Sequence, residues 1–87
     1  MISDAELAWL LADEIRGFLS RRQRTQVFVD LGSAEYMSAI ERLLKANPAR
    51  VPLGRTTLET LTEWLDRYQG FPEERRLRAL IALHPCT

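Results

Sequence analysis

Apolar residues along this chain return at the spacing of a helix. Leu7, Leu10, Leu11, Ile15, Phe18 and Leu19 follow the i, i+3, i+4, i+7 pattern, which predicts an amphipathic helix over about residues 4–20. Ser3 and Glu6 stand ahead of it at capping-box spacing, where hydroxyl and carboxylate each satisfy an early backbone N–H. Asp4, Glu6, Asp13 and Glu14 precede Arg16, Arg21, Arg22 and Arg24, the order a helix dipole favours. Trp9 falls off the stripe, beside Ala5, Ala8 and Ala12. There it either covers the edge of a core or faces a partner.

The pattern then breaks. Ser20 to Gln26 is polar and basic and reads as a connector. Val27, Phe28 and Val29 are β-prone, but so short a run makes no sheet, and they are expected to lie extended over the bundle. Asp30-Leu31-Gly32 turns the chain. Ser33 is then expected to N-cap a helix over 34–46, with Met37, Ile40 and Leu44 inward and Tyr36 and Leu43 flanking. Asn47-Pro48 ends it, because the residue before a proline avoids the helical region. Ala49 to Arg55 is a loop in which Val51 and Leu53 are expected to tuck in around Pro52.

Thr56 with Glu59 repeats the capping-box spacing and predicts a helix over 57–69, buried through Leu58, Leu61, Leu65 and Tyr68. Gly70 suits the left-handed position past its end. Pro72, Glu73 and Glu74 open a last helix over 73–83, with Leu77, Leu80, Ile81 and His84 inward and Pro85 as its stop. The expected fold is therefore all-α, a small four-helix bundle in a single domain spanning 1–87.

Composition narrows the partners. Twelve Lys and Arg balance twelve Asp and Glu, so no net field draws nucleic acid or an anionic membrane to the chain. Cys86 is the one cysteine; it excludes an intramolecular disulfide and suits a reducing compartment. The N-terminus is acidic where a secretory signal is basic. No apolar run nears the ~18 residues of a membrane span. A cytoplasmic protein without membrane contact is expected.

Enzyme signatures are missing. The single His84 has no second ligand at metal spacing, so no metal is expected. Gly32 and Gly54 are isolated turn glycines rather than a phosphate loop. The carboxylates are scattered among arginines, as on a solvated surface. No catalytic residue is assigned, and the chain reads as a non-enzyme. One hydroxyl stands apart. As an N-cap, Ser33 would be exposed after a Gly turn, and the helix dipole would favour a negative group on it. A serine carrying a phosphodiester needs those properties, and any N-cap serine shares them.

Phe28-Val29-Asp30-Leu31-Gly32-Ser33 resembles the run around the attachment serine of acyl and peptidyl carrier proteins, with Gly32-Ser33-Ala34 standing where that family has Asp-Ser-Leu. Val51-Pro52 is similar to the apolar-Pro pair after the family's serine helix, and Thr56 to Leu65 to its Thr-led last helix. The likeness covers about residues 3–69. It implies a phosphopantetheine arm on Ser33 that holds an acyl or aminoacyl thioester. It further implies a docking face for biosynthetic enzymes at Tyr36, Met37 and Val51; read by spacing alone, Met37 and Tyr36 are equally core positions.

A second likeness points elsewhere. Ile15-Arg16, Arg24-Thr25-Gln26, Tyr36 to Arg42 and Thr57 to Leu61 resemble parts of a Cro-like helix-turn-helix domain. That family uses a Gln to open its second helix and enters the major groove with the Tyr-led one. A third reading needs no family: a helical adaptor or inhibitor without cofactor, presenting one face to a protein. Trp9, Trp64 and Tyr68 would anchor it.

Overall fold

The computed structural model describes residues 2–46 and 53–82. Its described residues form five helices: α1 Asp4–Ile15, α2 Arg21–Gly32, α3 Tyr36–Ala46, α4 Arg55–Asp66 and α5 Pro72–Ala82. The all-α class holds. The expected count of four does not, because one helix lies in the stretch assigned to connector and extended chain.

α1 begins as its sequence predicts. The Ser3 hydroxyl accepts the Glu6 N–H at 3.1 Å, and the Glu6 carboxylate accepts the Ser3 N–H at 3.3 Å. Leu7, Ala8, Leu11, Ala12 and Ile15 form its buried side. The helix stops short of residue 20: Arg16–Phe18 tightens into one 3-10 turn, and Leu19 is extended. Gly17, a poor helix former, lies in that turn. Leu19 still reaches the core, whereas Phe18 is 52% exposed.

Ser20 restarts the chain with a second capping box. Its hydroxyl accepts the Gln23 N–H at 3.2 Å, and the Gln23 side chain accepts the Ser20 N–H at 2.9 Å. Val27 and Leu31, one turn apart, are the buried positions of α2. Burying each side chain contributes about 1.5–3 kcal/mol. A β-branched residue in a helix costs no more than ~0.7 kcal/mol. Burial wins, so Val27-Phe28-Val29 is helical rather than extended.

This helix displaces the expected role of Ser33, which is the C-cap of α2. The Ala34 N–H donates to Leu31 C=O at 3.2 Å and the Glu35 N–H to Asp30 C=O at 2.8 Å. Those two bonds make a Schellman motif, with Ala34 left-handed at φ 59°. α3 follows at once, and Glu35 C=O accepts its first-turn bond from Ala39 N–H at 3.0 Å.

The Thr56–Glu59 box does not form either. The N-cap of α4 is Gly54, which has no side chain to offer. Glu14 of α1 does the capping across the fold: Oε1 accepts the Gly54 N–H at 3.2 Å, and Oε2 accepts the hydroxyl of buried Thr57. A carboxylate at a helix N-terminus also meets the positive end of the dipole. Gly70 is left-handed at φ 93°, and Pro72 opens α5.

α3 is the central element, packed on α1, α2 and α5, while α4 packs on α1 and α5. The core centres on Leu7, Leu11, Ile40, Leu43, Leu61 and Trp64. Asp30–Arg42 ties α2 to α3 at 2.8 Å, and Glu41–Arg76 ties α3 to α5 at 2.9 Å. These pairs are partly solvated, and each contributes ~0–1 kcal/mol.

Candidate functional site

Two faces of the molecule could engage something else. The first runs along α1 and α2. Trp9 is 46% exposed and Val29 55% exposed. Between them Phe28 is half-buried and packs on Trp9, ring centroids 6.1 Å apart and tilted by 44°. Arg21, Arg24 and Thr25 border Phe28 and Val29 around a shallow hollow.

The placement follows from helix geometry. At 100° per residue, Asp13 and Glu6 lie roughly 40° and 60° to one side of Trp9, and Ala5 and Ala12 lie equally far to the other. Ala12 is buried and Ala5 half-buried, whereas Asp13 and Glu6 are exposed. Asp13 and Glu6 therefore flank Trp9 on α1, while Arg21 and Arg24 border Phe28 on α2.

The second face is a groove between α2 and α3, lined by Arg22, Gln26, Ser38, Glu41, Arg42 and Lys45. Arg42 is engaged with Asp30 and Glu41 with Arg76. That leaves Arg22 and Lys45 as the groove's cations without an ion pair among the described residues.

The sequence-derived candidates scatter. Trp64 is fully buried, and its indole N–H donates to Asp4 Oδ1 at 2.7 Å. As a docking anchor it would have to leave the core. Tyr36 opens α3 and Met37 follows; both are half-buried and packed against the core. Val51 lies outside the described residues, as do His84 and Cys86. Among the described anchors, Trp9 alone stands at the surface.

Ser33 is exposed, but it sits at the C-terminal end of α2. The dipole there is negative, and acidic Asp30 and Glu35 flank it in sequence. Its N–H is already given to Val29 C=O at 3.0 Å. A phosphodiester is favoured at a helix N-terminus; Ser33 is the C-cap of α2 and stands three residues before α3 opens at Tyr36.

Among the described residues no group of three or more His, Cys, Asp or Glu could hold a metal ion, and no helix is long and apolar enough to cross a membrane. Sequence reasoning passed over Phe28 and Val29 because it placed them in an extended segment. The signal that exposes them is the Ser20–Gln23 spacing, identical to that of Ser3–Glu6. No protein-family model, no curated protein and no solved structure matches this chain.

Proposed function

We propose that this chain is a small helical interaction module that works without a cofactor and docks a protein through the Trp9–Phe28–Val29 strip. One observation carries the reading. A tryptophan and a valine stand about half exposed on adjacent helices with an aromatic ring between them. Large apolar side chains gathered on one face mark interaction sites, whereas scattered ones need no explanation. Tryptophan and arginine, both present here, are the residues that most often dominate interface energy. The phosphopantetheine arm has no part in this reading.

The test compares baits. A protein retained by the wild-type chain is expected to be lost by Trp9→Ala, while the two baits melt within a few degrees of each other. An unchanged retained set with Trp9→Ala and Val29→Ser together would remove the strip from the function.

A second reading is favoured by the path of residues 21–46, which is helix, three-residue turn, helix. Gln26 lies within α2 rather than opening it, yet it shares a groove with Arg22, Ser38, Arg42 and Lys45. Helix-turn-helix proteins present such polar and basic side chains to DNA. The balanced overall charge weighs against a dominant phosphate-binding face. If the reading holds, duplex retention falls steeply with salt and is weakened by Gln26→Ala. Failure to retain duplex at low salt removes it.

A further inference from the structure

We infer that the groove between α2 and α3 is a binding site for a small phosphorylated ligand, one that carries a diphosphate or an equally compact set of phosphoryl oxygens. The site is separate from the docking strip. On α2, Gln26 lines the groove while Phe28 packs on Trp9, and the two positions lie roughly 160° apart around the helix axis. The hollow measures about 480 Å³, within the range of concavities that hold small molecules.

Its lining is rich in donors. Arg22 and Gln26 come from α2, and Ser38, Arg42 and Lys45 from α3, at the three- and four-residue steps that share one helix face. Arg22 and Lys45 are exposed, and neither has an ion-pair partner among the described residues. Arg42 donates its Nε–H to Asp30 at 2.8 Å, which orients the guanidinium and leaves its Nη donors for a ligand. Gln23, also in the lining, accepts the Ser20 N–H with its side-chain oxygen, so its NH2 group is what it can offer. The lining's one carboxylate, Glu41, is held by Arg76 at 2.9 Å. Two uncompensated cations thus share one hollow in a chain whose overall charge is zero. Donors on two walls select the anion. A carboxylate has two oxygens in one plane and is satisfied from one side. Phosphoryl oxygens point in tetrahedral directions, can take donors from both helices at once, and match the arginine fork. A duplex engages side chains that protrude across many phosphates, whereas these line a concavity.

Pyrophosphate is the probe. In heteronuclear NMR titrations of the full chain at fixed ionic strength, the Ser38 and Lys45 amides and the Gln26 side-chain NH2 are expected to shift and saturate, with half-saturation near ~1 mM. Arg22→Gln combined with Lys45→Gln removes two charged donors and is expected to weaken binding at least about tenfold. Both side chains are exposed and unpaired, so this variant is expected to melt with the wild type. Lys45→Arg is expected to keep the affinity, as is Arg75→Gln, which lies on α5 outside the lining. Shifts that never saturate, that spread to arginines outside the groove such as Arg55 and Arg75, or that survive the double variant mean a general attraction of anions and overturn the site. A short DNA duplex that moves the same signals at lower concentration than pyrophosphate gives the groove to nucleic acid and overturns the small ligand.

Discussion

At the scale of single residues, Asp4 holds the most together. It stands in the first turn of α1, where the dipole favours a carboxylate. Its Oδ1 accepts the Trp64 indole N–H, and both its oxygens accept the Tyr68 hydroxyl, each at 2.7 Å. Asp4→Ala removes the acceptor from two donors at the core's edge. Hydrogen bonds to a charged group contribute about 1.5–3 kcal/mol, and stranded donors add a penalty, so a loss of about 2–3 kcal/mol is expected in urea unfolding. Burial raises the Tyr68 pKa above 10.0, and the hydrogen bond to Asp4 and its charge raise it further, against a smaller lowering by Arg67. The folded state thus holds the phenolic proton more tightly than the unfolded chain. That stabilisation is complete below the unfolded value and is lost as pH rises through the folded one. In a Tyr36→Phe background, phenolate absorbance should appear at lower pH once Asp4 is replaced. Such contacts were hidden in the sequence: Ser3 and Glu6 announce their cap three residues apart, whereas Asp4 and Trp64 are 60 apart.

At the scale of elements, the helix ends separate what was legible from what was not. Stripes such as Leu7-Leu11-Ile15 and Leu61-Leu65 declared α1 and α4, because four-residue spacing is a local property. α2 has only Val27 and Leu31 as its buried pair, and the β-branched run around Phe28 masked them. The start of α4 is not legible locally, because its capping carboxylate comes from Glu14, 40 residues before Gly54. Glu14→Ala is expected to cost about 1–2 kcal/mol, the range of a lost N-cap, with Glu59→Ala close to neutral; chemical denaturation of the pair separates the two caps. The turn between α2 and α3 supplies a gain. Ala34 occupies the left-handed position of a Schellman motif, where glycine is the usual residue. The Ala34 side chain is exposed. Ala34→Gly should stabilise the fold by about 0.5–1 kcal/mol, because the left-handed penalty of the Cβ disappears.

At the scale of the whole molecule, the two tryptophans mark opposite kinds of surface. Trp64 stands on the stripe of Leu61, Leu65 and Tyr68, and its ring is sealed at 0% exposure against Tyr68, centroids 5.0 Å apart. Trp9 stands off its stripe and keeps nearly half its surface in water. Aromatic type alone makes both candidate anchors, and register separates them. With Trp9→Phe the remaining Trp64 should emit at short wavelength and resist acrylamide. With Trp64→Phe the remaining Trp9 should emit at longer wavelength and be quenched readily at low protein concentration. Truncation to alanine should divide them again. A buried tryptophan costs about 3–5 kcal/mol to remove. Trp9→Ala loses mainly its contact with Phe28, about 0.5–1.5 kcal/mol for an aromatic pair. A large loss of stability for Trp9→Ala, or a Trp9 that resists quencher in dilute solution, would mean that the α1–α2 strip is core rather than surface, and the docking role assigned to it would fall.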